Sequence, residues 1–479
     1  MVNMMCTKKK NKILMVPYPA QGHVTPMHKL ASILTSRGFE PIVITPEFIH
    51  NQITSSMDPR SEISCMSIPD GLEKNEPKDF FAIEKVIENI MPIHLERLIN
   101  KINEDGRVAC VVVDLLASSA IGVACRCGVP AAGFWPAMLA TYCLIDAIPE
   151  MIKSGYISDT GSPQHLESTA RFLPNQPMLS TEDLPWLIGT PAARKSRFKF
   201  WSRTLERSRN LKWLLVNSFP EEHMDDIKQQ YHHSKGATLC RPKVLLVGPL
   251  SKHATIAKNP SLWEEDTSCI DWLDNQKPNS VIYISFGSWV SPIGEEKVKT
   301  LALTLEALGL PFIWVLGFAW REGLPDGYLD RVSNSRQGKV VPWAPQLKVL
   351  QHNAVGFYLT HCGWNSTMEA IQSGKRLLCY PVAGDQFINC AYIVKMWKIG
   401  IRVNGFGKRD IEDGLKKLKE DSEMKQRLMN LYMRTMGDDG ARARVMNNLT
   451  GFVDDFSKLT RNDHQFHLKD VDHDHLFNL

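Results

Sequence analysis

This chain lacks the charge excess of a nucleic-acid binder: its 479 residues hold 56 Lys and Arg against 52 Asp and Glu. A net charge of +4 spread over that length makes no dense basic face, so nucleic acid is not an expected partner. Lys8, Lys9 and Lys10 read as a solvated arm ahead of the first strand. Long apolar runs are missing too. Pro17 and Pro19 interrupt the N-terminal apolar residues, which do not form a secretory signal. The best membrane candidate, 128–145, is uncharged but holds Pro130 and Pro136 and closely follows Arg126. It reads as a buried loop and helix beside a parallel sheet, so no transmembrane segment is expected. Eleven cysteines are an odd number, and Cys125 and Cys127 stand one residue apart, which is not zinc-finger spacing. Reduced, buried cysteines fit a cytoplasmic enzyme. The dinucleotide fingerprint G-x-G-x-x-G is also absent from the first strand–helix loop, where Gly22 stands alone.

What is present points to two α/β domains, as the length also requires. Residues 12–19 read as a strand, followed by a loop with Gly22, a helix over 26–36, Gly38 as its stop and a strand over 41–45. The pattern repeats in the second half: a strand over 280–288, a helix over 295–308, Gly309, and a strand over 311–316. Such domains bind ligands at the C-terminal ends of their strands. The expected division is 1–250 for a first, acceptor-binding Rossmann-like domain, 251–263 for a polar linker and 264–445 for a second such domain. A helix over 446–460 should pack back on the first domain, and 461–479 should be a disordered, His-rich tail. Its Asp472-His473-Asp474 is not at a strand end and does not read as a metal–diphosphate site. Region 150–200 reads as a loop-and-helix excursion that frames a variable substrate pocket.

Several residues have types and places suited to chemistry. His23 lies in the first strand–helix loop and can act as general base, or be a loop histidine satisfied by backbone. Asp114 ends the apolar strand 108–113. It can hold the tautomer of His23, or cap the helix that follows. Gly287 allows close backbone approach to a ligand, and Ser288 beside it can donate to a phosphate. The densest stretch is 343–386, WAPQLKVLQHNAVGFYLTHCGWNSTMEAIQSGKRLLCYPVAGDQ. Strand 356–360 leads to a helix opened by Asn365 and Ser366, whose free N–H groups favour an anion. His361 stands before that helix, and Glu369 lies one turn on, able to accept from ribose hydroxyls. Trp343 offers a flat surface for a base. Asp385 and Gln386 follow strand 377–380, where paired sugar hydroxyls can be held. A zinc site on His361 and Cys362 finds no further ligands at useful spacing.

These 44 positions resemble the donor-binding signature box of plant UDP-glycosyltransferases. Pro17-x-Pro-x-Gln-Gly-His23-x-x-Pro26 resembles the family's N-terminal catalytic loop, and Val216-Asn217-Ser218-Phe219, Val247-Gly248-Pro249-Leu250, Trp272-Leu273-Asp274 and Ser285-Phe286-Gly287-Ser288 agree as well. The resemblance implies the GT-B fold, two Rossmann-like domains facing across a cleft, and an inverting transfer without cofactor or metal. It implies His23 as base and Asp114 as its partner. It places Trp343, Ala344 and Gln346 at uridine, Glu369 at ribose, and Ser288, His361, Asn365 and Ser366 at the diphosphate. Trp364, Asp385 and Gln386 would face the sugar, with a final Gln favouring glucose over other donors. The expected partners are a UDP-sugar and a small apolar acceptor, bound by a monomer. A non-catalytic UDP-sugar binder and an NAD oxidoreductase are the rivals. The first is disfavoured by His23 and Asp114, the second by the missing glycine fingerprint.

Two departures from the family pattern stand out. Lys375-Arg376 replaces the usual Val-Pro and reads as a surface change. Gly384 precedes Asp385 where a bulkier residue is usual, which suggests a looser sugar loop and less strict glucose selectivity. For the acceptor pocket, Phe134, Trp135 and Trp186 are candidate linings or core residues.

Overall fold

The computed structural model describes residues 11–73, 78–164, 169–170, 176–219, 241–250, 260–288, 293–437 and 439–462. The lysine arm, most of the 251–263 linker and all but the start of the 461–479 tail lie outside the described residues.

Two parallel sheets carry the fold. The first uses β1 (Asn11–Val16), β2 (Phe39–Pro46), β3 (Ser64–Ile68), β4 (Val108–Asp114) and β5 (Ala131–Trp135). A two-residue-per-strand hairpin, β6 (Thr169–Ala170) and β7 (Leu179–Ser180), interrupts the chain before β8 (Trp213–Val216) and β9 (Lys243–Leu246) complete that sheet. Its order is β3-β2-β1-β4-β5-β8-β9. The second sheet uses β10 (Val281–Ser285), β11 (Phe312–Val315), β12 (Gly338–Val341), β13 (Val355–Thr360), β14 (Arg376–Cys379) and β15 (Gly400–Arg402), in the order β12-β11-β10-β13-β14-β15. Both orders reverse direction once, at β1/β4 and at β10/β13, and a crevice opens above the strand ends at each reversal. The chain therefore has the GT-B architecture that its motifs imply.

The strands read as continuous apolar runs because helices cover both faces of each sheet. All seven residues of β4, VACVVVD, are buried. Adjacent residues of a strand point to opposite faces. On β5, Phe134 therefore joins the core beneath the C-terminal helix, whereas Trp135 joins the core on the other face. The stretch 128–145 is thus a central strand followed by the helix Leu139–Asp146, not a buried loop and helix. Its prolines flank the strand, where no ladder N–H is needed. Among the described cysteines, Cys125 is exposed and Cys65 and Cys127 are half-buried, so burial is not uniform; none is paired.

The last helix, Asp439–Asn462, returns to the first sheet. Phe452 packs edge-on against Trp213 at 5.6 Å, Asn448 Nδ2 donates to the Leu246 carbonyl at 2.8 Å, and Lys243 pairs with Asp455 at 2.9 Å. No helix among the described residues is long and apolar enough to cross a membrane.

Lys375 is not the surface replacement its charge suggested. It is buried, and its Nζ donates to the carbonyls of His352 (3.1 Å) and Val355 (2.7 Å), tying the turn before β14 to the start of β13. Burial pushes its pKa down from the ordinary lysine value. Arg376 opens β14 and is only half-buried. Lys375→Ala is expected to lower stability by about 1–3 kcal/mol, the cost of leaving buried carbonyls without a charged donor. Arg376→Ala should stay within about 0.5 kcal/mol. Denaturant midpoints of the two variants check this contrast.

Candidate active site

The in-register pairs Val16↔Val113 and Ser285↔Thr360 bring four strand ends level, two in each domain. The segments leaving those ends carry the site residues. They line one cleft of about 2280 Å³ between the domains. His23, Ser288, Trp343, Ala344, Gln346, His361, Trp364, Asn365, Ser366, Glu369, Asp385 and Gln386 all face it; Asp114 stands behind His23.

His23 sits in the first turn of the helix Gln21–Thr35, not in the loop before it. Pro26 had suggested a later start. The helix absorbs it, and the missing proline N–H leaves the Gly22 carbonyl without its usual i+4 donor. Asn365 Nδ2, from the other domain, donates to that carbonyl at 2.9 Å. His23 Nδ1 lies 2.8 Å from Asp114 Oδ2, and the Leu116 N–H donates to Asp114 Oδ1 at 3.0 Å. Both readings of Asp114 hold at once, one per oxygen. A carboxylate only accepts, so the proton of a neutral His23 sits on Nδ1 and Nε2 keeps its lone pair. His23 is 21% exposed and Asp114 0%.

In the second domain, Trp364–Gln372 forms the helix above β13. His361 is wedged between two glycines. A Cβ on Gly287, which has φ of +82°, would lie 2.6 Å from its Nε2, and one on Gly363 2.4 Å away. Burial pushes the His361 pKa down to about 4, with a partial offset from the Ser285 backbone. The ring is therefore neutral near pH 7 and offers a dipole rather than a charge to an anion.

Gln346 is saturated within the protein. Its Oε1 accepts from the hydroxyls of Tyr283 (3.2 Å) and Tyr358 (3.0 Å), and its Nε2 donates to Ser366 Oγ (3.0 Å) and Glu369 Oε2 (2.7 Å). It orients the Glu369 carboxylate and keeps no free edge of its own. Burial raises the Glu369 pKa, offset by the charge of Lys29 and by the Gln346 bond. Trp343 is paired with Trp263, an exposed ring from the end of the linker, at 6.3 Å between centroids.

The loop that carries Asp385 and Gln386 is more constrained than its glycine suggested. Gly384 takes the left-handed conformation, φ +61°, which a bulkier residue would adopt only with strain. Gln386 Oε1 accepts from the N–H groups of Val382 and Ala383, both at 2.9 Å, and cinches the loop. Its Nε2 has no partner among the described residues and remains available. Asp385 Oδ2 accepts from Asn389 Nδ2 at 2.8 Å. Burial raises the Asp385 pKa, and the Asn389 bond and the nearby His23 pull it back, so the two side chains feel one another across the cleft. Trp364 is less free for a sugar than expected: it is buried, stacks on Phe219 and donates its indole N–H to the Asn217 carbonyl at 2.6 Å.

Other contacts escaped the sequence reading. Gln21 holds the linker end through the Pro260 carbonyl and the Leu262 N–H. Cys362, Cys379 and Cys390, far apart in sequence, bring their buried sulfurs within 4.8 Å of one another beneath the His361 loop, although His361 takes no part. Spacing along the chain could not reveal side chains gathered from three separate elements. Of the proposed pocket aromatics, Trp135 lines the cleft. Phe134 is core, and Trp186 packs on Phe198 with its N–H on the Gly161 carbonyl.

Comparison with known proteins agrees with this geometry. A family model described as UDP-glucoronosyl and UDP-glucosyl transferase matches residues 264–437. UDP-glycosyltransferase 82A1 of Arabidopsis thaliana is 55% identical over 453 residues, 92% of this chain and 97% of the relative. The chain belongs to the UDP-glycosyltransferase family. UDP-glycosyltransferase 83A1 of Arabidopsis thaliana is a more distant relative, 31% identical over 92% of the chain and 96% of its own length. Among solved structures, Medicago truncatula UGT71G1 complexed with UDP-glucose superposes with a TM-score of 0.78 at 23% identity, over 94% of this chain and 98% of that one. Phytolacca americana UGT2 complexed with UDP-2fluoro-glucose and pterostilbene gives 0.74 at 22% identity, over 93% and 100%. This chain is thus a glycosyltransferase of GT-B fold.

The His361 pKa carries a sign that can be checked. The ring is depressed to about 4 in the folded state against 6.5 when free. Between those values the unfolded chain binds more protons, so the stabilising contribution is full above pH 6.5 and is lost as pH falls towards 4. The glycosyltransferase should lose about 2–3 kcal/mol over that window through this residue. His361→Asn should flatten the corresponding part of a stability–pH curve measured by denaturant unfolding.

Proposed function

We propose that the enzyme transfers glucose from UDP-glucose to a hydroxyl of a small apolar acceptor, with inversion, giving a β-glucoside. The observation that carries this reading is one cleft holding His23, backed by Asp114, opposite the whole donor set of the second domain. His23 Nε2 takes the acceptor proton as the acceptor oxygen bonds to C1 of the sugar. The bond from C1 to the diphosphate oxygen breaks on the opposite face, and UDP leaves with the electron pair. Charge grows on the departing phosphate, where Ser288, the neutral His361, Asn365, Ser366 and the N-terminus of their helix can meet it without a metal. Trp343, together with the Ala344 backbone, takes uracil in this reading. Glu369, held by Gln346, takes the ribose, and Asp385 with the free amide of Gln386 takes the sugar hydroxyls. The Medicago structure, which holds UDP-glucose, supports the choice of donor by analogy.

One set of assays tests the proposal. His23→Ala should lower transfer by about 10²- to 10⁴-fold, as expected for a lost general base, with UDP binding retained. Equal loss of transfer and UDP binding in a folded variant would contradict the assignment. In competition, UDP-glucose should be used ahead of UDP-galactose and UDP-glucuronate. A preference for galactose would remove the role given to Gln386.

A further inference from the structure

The acceptor side of the cleft contains a cation that the transfer does not use. Arg197 lies on the helix Pro191–Arg209 and lines the cleft among Phe80, Phe81, Trp135 and Trp201. Its guanidinium sits over the Phe80 ring at 4.3 Å from the centroid and reaches Phe81 at 5.6 Å. Among the described residues it makes no hydrogen bond and no ion pair, and its Nε is buried without a partner. Burial disfavours its charge, and the carboxylates of Asp79 and Glu84 partly offset that.

The two nearby carboxylates are committed elsewhere. Asp79 caps the helix Phe80–Lys85 by accepting from the N–H groups of Phe81 and Ala82. Glu84 is bonded by Arg203. Tyr18 connects this cation to the base: its ring lies 5.1 Å from that of His23, and its hydroxyl is within electrostatic reach of Arg197. The acceptor end of the cleft thus has an aromatic wall, a proton acceptor and a positive group with no ion pair among the described residues. Arg197 is half-buried beside the cleft with its Nε unpaired, and a planar carboxylate matches its forked donors.

We propose that the acceptor is an aromatic or similarly apolar hydroxy acid, whose carboxylate pairs with Arg197 while its hydroxyl faces His23. This rests on the transferase reading above and deepens it. The orientation has a chemical consequence. The carboxylate is occupied at Arg197, so the oxygen that reaches C1 of glucose is the hydroxyl, and the product is a glucoside with a free acid rather than a glucose ester.

The test uses the full-length enzyme, UDP-glucose and a series of 4-hydroxyaryl acids of increasing length, each paired with its methyl ester. Products are read by mass spectrometry before and after hydroxylamine, which cleaves sugar esters but not glucosides. For at least one acid, KM should lie about 10- to 100-fold below that of its ester, the range expected for a hydrogen-bonded charge. The product should resist hydroxylamine. Arg197→Gln should raise KM for that acid about tenfold or more and for the ester less than threefold, and Arg197→Lys should restore part of the difference. Retained UDP binding shows that each variant is folded. Equal use of acid and ester throughout, equal effects of Arg197→Gln on both, or a hydroxylamine-labile product would overturn the inference while leaving the transferase reading intact. Absence of transfer to every acid and every ester, with UDP-glucose still bound, would likewise overturn the inference; failure of UDP-glucose to bind would instead overturn the donor reading.

Discussion

A carboxylate with no access to water must have its oxygens bonded within the protein, and Asp114 is such a carboxylate. Its place follows from the fold: it is the last residue of a strand buried on both faces, beside the reversal in strand order. One oxygen accepts from the Leu116 backbone and the other faces His23 Nδ1. Satisfying the buried charge therefore also fixes the direction of the imidazole. The remaining ring nitrogen is left towards the cleft, where an acceptor hydroxyl would arrive. Stability and chemistry share a single pair of bonds.

The second domain meets this arrangement through a gap in a helix. Pro26 deprives the Gly22 carbonyl of its ordinary donor, and Asn365 supplies one from across the cleft. The same asparagine stands at the helix start proposed for the diphosphate, so that helix and the one that carries His23 touch directly. Trp364 adds a second link through the Asn217 carbonyl and Phe219. Gly248 allows the strand ends of the first domain to converge there, since a Cβ on it would lie 2.5 Å from the Asn217 backbone. Residues assigned to ligand on sequence grounds thus also hold the two domains together.

Much of this was legible before the fold. The repeated strand–glycine–helix pattern located both sheets, and the placement of His23 and of the 343–386 stretch after strand ends predicted one shared cleft. What stayed hidden depends on partners distant in sequence. The apolar core around Phe134 and the cleft face of Trp135 differ by one residue on one strand, and only the neighbouring elements decide which face is which. Lys375 looks like a surface lysine until β13 supplies its two carbonyls. Gln346 looks free until two tyrosines and a glutamate converge on it. The start of the first helix was misplaced because Pro26 normally marks an early position, and here an interdomain donor compensates for it.

The central claim is that Asp114 holds His23 as the Nδ1–H tautomer, with Nε2 free to act as base. Selective ¹⁵N labelling of histidine, with His23→Gln used to assign the signal, reads this directly from the two ring-nitrogen shifts at pH above the imidazole titration. The account predicts a protonated Nδ1 and a bare, acceptor-type Nε2 for His23, with the preference lost in Asp114→Ala. A His23 found chiefly as the Nε2–H tautomer in the unmodified enzyme would contradict it.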